Sequence, residues 1–430
     1  MQPTKQIHLY IEKQNRNSGE LILDFLDKRE FVDFVNKYNK INYQNNIDSI
    51  PCLIFVSIGR IPRGLLLREG GMLTVGFNRL LKICLNTIKE TENKTNVAIP
   101  PSFLAIIKDA DSFLSLLKDP LSKIQSITPK SYKIAMDSVW KGSLQNLSTG
   151  LELIKKDNVE IVIWDVGQGS ASAVISDKCA IIYDLGCNAS SCYDIKIQQN
   201  LLRKIKSYLN GIDNIVLILS HWDCDHYNLL YGMDDNDMKK LKLVLFSTEA
   251  FGQYAERVYS RIRNNCKNRY WAIAPSSDRK ITSKIGIELL FDTGTLQLFR
   301  GEYSTSRNRC GLLLSVKCKK SIMLLGGDHT NYQIWKLMYS KIGVTNEEIN
   351  AVAPHHGSLH CLKLKLPQAQ KYGVIAVSAG NGNSYSHPDL KIVTEYINSG
   401  FIVKCTEQGP KTNGSLNNLF SYQKDFTIIL

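Results

Sequence analysis

The chain is 430 residues long, 43% hydrophobic and 9% aromatic, with a formal net charge of +13 at pH 7. That length and apolar content exclude a disordered chain and suit two packed domains rather than one. No apolar stretch approaches the ~18 residues of a spanning helix, so membrane insertion is not expected. The basic balance favours polyanions such as nucleic acid, nucleotides or acidic headgroups.

Two observations bear on location. Met1-Gln2-Pro3-Thr4-Lys5 lacks the charged-then-apolar layout of a signal peptide. Eleven scattered cysteines without a C-x-x-C pair suit reduced, buried thiols. A cytoplasmic protein is the expectation.

Residues 1–150 carry mixed signals. A strand is expected at Ile7–Ile11, a helix near Arg29–Tyr38 and a buried strand at Cys52–Ile58. Amphipathic helices are expected around Phe77–Lys89 and Phe103–Leu117. His8 is the segment's single histidine, and no ligands or nucleophiles cluster there. It reads as a small α/β accessory domain of unknown role, joined through Gly142–Gly150.

The second part, 155–430, alternates strand and helix signals. Glu160–Trp164, Ala171–Ser176 and Ala180–Tyr183 read as strands, followed by an amphipathic helix from about Asp194 to Leu209. Further strands are expected at Ile215–Leu219, Leu241–Phe246, Ile287–Phe291, Leu312–Val316, Ile322–Leu325, Ile349–Ala353 and Val374–Val377. Helices are expected at Tyr332–Tyr339 and Pro388–Asn398. This order suits two sheets covered by helices. Arg257, Arg261, Arg263, Lys267 and Arg269 form one local cluster of positive charge.

The densest chemistry follows the Ile215–Leu219 run: Ser220-His221-Trp222-Asp223-Cys224-Asp225-His226. Imidazoles and carboxylates so closely spaced repel and lose hydration unless a cation neutralises them, which marks a metal site at a strand end. Cys224 lies within the motif, but alternation about Asp223 and Asp225 turns it away. Asp328 stands likewise after Ile322–Leu325, His355 and His356 after Ile349–Ala353, and His387 just before an expected helix. An isolated Asp at such a place is often a turn or helix cap. Their shared placement is what joins them.

From Glu160 to about Phe401 these motifs resemble a metallo-β-lactamase-fold hydrolase, specifically a free-standing ComEC-like protein with an added N-terminal region. Asp165-Val166-Gly167-Gln168-Gly169-Ser170, Asp184-Leu185-Gly186 and Ser220–His226 resemble its opening motifs in order. Gly327-Asp328, His355-His356-Gly357-Ser358 and Asn383–Pro388 resemble its later ones. The resemblance implies an αββα sandwich and two divalent metal ions, zinc or manganese. It puts His221 and Asp223 on one ion, Asp225 and His226 on the other, and Asp328 between them. His355 or His356 would complete the second set, with His355 favoured for its place directly after Pro354. Asp165 and Asp184 would orient ligands.

Two departures matter. Asp223 stands where the wider superfamily has a histidine, and Asn308 lies where a third histidine motif is expected. One site is therefore expected to be weak and oxygen-rich.

The function these readings imply is a phosphodiesterase or nuclease acting on DNA or RNA through a metal-activated water. Asp225 would steer that water's proton. His387 would protonate the leaving oxygen or grip phosphate, unless it only caps the helix after it. Two alternatives stand beside this. One is a hydrolase of small phosphodiesters, lactones or thioesters on the same fold. The other is a metal-bound sensor or scaffold whose residues 1–150 dock a protein partner, a resemblance to subunits of bacterial antiviral defence assemblies.

Overall fold

Strand alternation organises the first part of the chain. A computed structural model describes all residues except 1–4, 16–17, 39–51, 63–64, 66, 68–69, 94–102, 119–121, 127–135, 137–150, 152–158, 189–194, 277–285, 303, 305–306, 338–341, 343–345, 360–370, 381–386, 407–420 and 423–424. The connection expected at Gly142–Gly150 lies outside the described residues. Strands β1 (Gln6–Asn15) and β2 (Glu20–Phe25) pair antiparallel, with Leu9 opposite Phe25. With β3 (Leu53–Ser57), β4 (Gly71–Gly76), β5 (Phe103–Ile107) and β6 (Lys123–Ser126) they form a six-stranded sheet, ordered β5-β3-β2-β1-β4-β6.

The helix Lys28–Tyr38 spaces Phe31, Phe34, Val35 and Tyr38 along one face and buries all four. A second helix, Phe77–Asn93, leaves β4 directly. The expected single helix over Phe103–Leu117 is corrected. Five consecutive apolar residues form β5, parallel to β3, and a helix starts only at Ala110. Asp109 caps it, accepting from Asp111 N–H. This first unit comprises Met1–Ala135 and also Ala250–Tyr259, a segment that the sequence reading assigned to the second part.

The second unit, Met136–Glu249 with Ser260–Leu430, is built on two sheets. The seven-stranded sheet contains β7 (Glu160–Ile163), β8 (Ala171–Ser176), β9 (Cys179–Leu185), β10 (Asn214–Leu219), β11 (Leu241–Ser247), β12 (Tyr270–Ile273) and β21 (Phe426–Ile429), ordered β12-β11-β10-β9-β8-β7-β21. The eight-stranded sheet runs in chain order. Its strands are β13 (Ile287–Asp292), β14 (Leu296–Gly301), β15 (Leu312–Cys318), β16 (Ser321–Leu325), β17 (Glu348–Val352), β18 (Tyr372–Val377), β19 (Ile402–Cys405) and β20 (Ser421–Tyr422).

Period-two alternation assigns each face. Val216 and Ile218 of β10 share one core with Leu312, Leu314 and Met323 of the other sheet, so the two sheets pack face to face. The opposite face of the eight-stranded sheet, including Leu313, Ile322 and Leu324, packs under Ile334 and Trp335 of helix Asn331–Leu337 and Ile392 and Val393 of helix Leu390–Asn398. Helix Ile195–Tyr208 covers the outer face of the seven-stranded sheet, its Ile205 meeting Ile182 and Ile215 around a shared cavity of about 250 Å³. The unit is the αββα sandwich.

Strand direction then positions the site. β9, β10 and β11 are mutually parallel, as are β16 through β19. The loops after β10, β16 and β17 therefore leave carboxyl ends, where α/β sheets gather ligand-binding residues. Leu312 N–H donates to Ser220 O and Tyr183 O–H to Leu312 O, each at 2.8 Å, which ties the two sheets together beside those loops.

Candidate metal centre

Local backbone aims the ligating side chains. Past β10, the short helix Cys224–Tyr227 buries Asp225 and His226 side by side. Gly186 makes room for it, since a Cβ there would stand 1.9 Å from Asp225 O. After β17, His355 (φ 48°) and His356 (φ 54°) are both left-handed, a conformation costing non-glycine residues about 1–3 kcal/mol each. That unusual pair of residues turns both rings toward the cluster, with centroids 6.3 Å apart.

Three imidazoles are tied back by the same ring atom. His226 Nδ1 lies 2.8 Å from Asp184 Oδ2, and His356 Nδ1 lies 2.8 Å from Ser378 O. His221 Nδ1 lies 2.9 Å from Ser220 Oγ, which donates to Asp184 Oδ2 at 2.8 Å. Each Nδ1 is thus assigned a proton by its acceptor, and each Nε2 presents a lone pair. These three Nε2 atoms are buried and make no hydrogen bond of good geometry. Such atoms are costly to bury unless something else answers them.

Carboxylates supply that answer in part. His226 Nε2 is 3.2 Å from Asp328 Oδ1, while His221 Nε2 is 3.8 Å from Asp328 Oδ2. His356 Nε2 is 3.4 Å from Asp225 Oδ2. Two groups could each hold an ion: His221, His226 and Asp328, and Asp225, His226 and His356. All five residues are buried.

Charge follows the same pattern. Burial opposes a charged ring at His226, yet the Asp328 and Asp184 carboxylates hold its pKa well above the ordinary value. Burial likewise opposes the Asp328 carboxylate, but the His355 and His226 rings hold its pKa well below the usual range. The cluster draws in positive charge. A divalent ion would meet the demand that a proton meets here.

Every residue expected at the site can now be placed. Asp184 is wholly buried and accepts from Ser220 N–H, Ser220 Oγ, Ser170 Oγ and His226 Nδ1. Asp165 stays at its turn, accepting from Gly167 N–H at 3.3 Å. His355, favoured from sequence, lies 3.6 Å from Asp328 and 3.3 Å from Asn308 Nδ2, whereas His356 is the ring grouped with Asp225 and His226. The His387 ring lies 5.9 Å from that of His355. It does not cap the following helix. Asp389 does, accepting from Lys391 N–H at 2.9 Å, and the helix begins at Leu390 rather than Pro388. Cys224 is buried outside both groups.

Two features were missed in the sequence. Arg307 is buried and pairs with Asp223. Arg257, Arg261 and Arg263 of the basic cluster lie on a helix, Gly252–Cys266, signalled by Tyr254, Val258, Ile262 and Cys266 at four-residue spacing, and Lys267 and Arg269 follow its end. The cluster's arginines are engaged by the fold. Arg261 donates to Leu230 O, Tyr231 O and Met233 O, and Arg269 to Lys239 O and Leu241 O. Arg257 lies over the Phe31 ring in the first unit. No helix among the described residues is long and apolar enough to cross a membrane.

No family model matches the chain, and no curated protein does. Solved structures similar to it include the metallo-β-lactamase-fold protein YhfI from Bacillus subtilis, at 12% identity and TM-score 0.33, covering 63% of this chain and 99% of that one. Tm1679, a metal-dependent hydrolase of the β-lactamase superfamily, gives 12%, 0.29, 63% and 98%. The short form of human tRNase Z gives 10%, 0.33, 62% and 98%. Likeness at this level does not identify a reaction.

Proposed function

We propose that the second unit is a metal-dependent phosphodiesterase of metallo-β-lactamase type, acting on DNA or RNA. The observation that carries this reading is the set of three buried Nε2 atoms, those of His221 and His226 facing the two oxygens of Asp328 and that of His356 facing Asp225. The donor set fits divalent zinc or manganese. Asp225, His226, His356 and Asp328 would hold one ion, and His221, Asp223 and Asp328 the other. Bound ions supply Lewis acidity and an activated water to such a centre.

The chain's own groups do the rest. Asp184 fixes the His226 ring, directly and through Ser220 fixes that of His221. Asp225 presents a carboxylate oxygen on which a water's proton can be held. His387, beside His355, is placed to grip a phosphate oxygen or protonate a departing one. Oxygen-rich ligation, a net charge of +13 and the ComEC-like motif order support a phosphodiester substrate. The first unit, without a candidate ion group among its described residues, is proposed as an accessory domain that docks a protein partner.

The test is incubation of purified protein with single- and double-stranded DNA, RNA, cyclic nucleotides and a small phosphodiester under Mn²⁺ or Zn²⁺. Cleavage of a polynucleotide is expected, with loss of at least 10²-fold in an Asp225→Ala/His226→Ala variant. Equal cleavage by that variant would refute the assignment. Activity confined to the small ester would replace the nuclease reading with a small-molecule one.

A further inference from the structure

Arg307 opens the short helix Arg307–Cys310 and is 7% exposed. Its Nη2 pairs with Asp223 Oδ1 and its Nη1 donates to Trp222 O. Both side chains of the ion pair are 6% exposed, so water screens it little. The other oxygen, Oδ2, stands 3.3 Å from His221 Nε2.

Asp223 nevertheless belongs to neither group whose donor atoms lie within 4.8 Å of one another. One of its oxygens is held by a guanidinium that stays charged at any working pH. A dication beside His221 and Asp223 therefore meets a fixed positive charge and a carboxylate already neutralised. Asp225, His226 and His356, by contrast, form a group whose donor atoms do lie within that distance.

We propose that Arg307 is a positioning residue that makes the centre unequal. By engaging Asp223 it leaves one strong ion site, formed by Asp225, His226, His356 and Asp328, and weakens the His221–Asp223 side. The protein thereby supplies part of the positive charge that a second ion would bring. This rests on reading the cluster as a metal centre.

Chelator-stripped full-length protein would be titrated with Mn²⁺, and separately with Zn²⁺, by calorimetry, with bound ions counted by native mass spectrometry. Wild type is expected to take one tight equivalent and a second at least tenfold weaker. Arg307→Met, checked for folding by circular dichroism, frees Asp223 and is expected to tighten the second ion at least tenfold. Should that variant not fold, Arg307→Met/Asp223→His removes both charges together and adds a nitrogen donor. It is expected to bind two near-equal ions. Two equal equivalents in wild type, or an unchanged second ion in the folded variant, overturns the proposal. A wild type that binds no ion, or binding that survives Asp225→Ala/His356→Ala, overturns the metal reading itself and the role of Arg307 with it.

Discussion

Asp24 in the first unit and Asp328 in the second are 1% and 5% exposed, yet their carboxyls titrate in opposite directions. Burial pushes both pKa values up. For Asp24 burial wins, and the carboxyl rises to about 7 although it accepts from Tyr254 N–H at 2.9 Å and lies near Arg257. For Asp328 the His355 and His226 rings overcome burial and hold the carboxylate ionised. A buried carboxyl with structural partners relieves its cost by taking a proton. One encircled by imidazoles keeps its charge, and the site stays hungry for a cation.

The largest expected effect tests that difference directly. Asp328→Asn removes the charge shared by both sides, and ion affinity should fall on the order of a thousandfold, about 4 kcal/mol, one ligand's share of a typical site. Calorimetric titration checks this, and retained affinity would break the contrast.

Asp24 should show its signature in stability. Its folded pKa of about 7 lies above the unfolded value of 3.8, so the native state binds the extra proton between those limits. Stability should therefore fall as pH rises from about 4 to about 7, by up to about 4 kcal/mol. Asp24→Asn should flatten the dependence, as read from urea melts at a series of pH values. An unchanged slope would remove Asp24 from the comparison.

Asp184→Asn should cost 10–100-fold in ion affinity while the circular dichroism spectrum is retained, because it loosens His226 without removing a ligand. The smallest effect belongs to Arg261→Ala. It should cost about 1.5–3 kcal/mol in denaturant unfolding, the range for hydrogen bonds made by a charged group. Polynucleotide affinity should be unchanged. A large loss of that affinity with full stability would mark the helix as a polyanion surface.

What could be read from the sequence follows from range. Strands such as Ile215–Leu219 announce themselves in five consecutive residues, and Ser220–His226 concentrates its chemistry in seven. The choice between His355 and His356 depends on two left-handed backbone angles that composition does not encode. The Arg307–Asp223 pair joins loops from different sheets, with nothing local to signal it. The basic cluster shows the opposite case. Its charges are local, but the carbonyls that absorb them arrive from Leu230–Leu241.

Strand β21 sets an order of assembly. It pairs with β7, Phe426 opposite Ile163, and Asp425 accepts from both Asp165 N–H and Lys204 Nζ. The turn that opens the site is therefore buttressed by residues synthesised some 260 positions later. During translation the seven-stranded sheet waits with β7 as an open edge until residue 429 has emerged. The Asp165 turn therefore gains its Asp425 buttress only after every strand of the eight-stranded sheet has been synthesised.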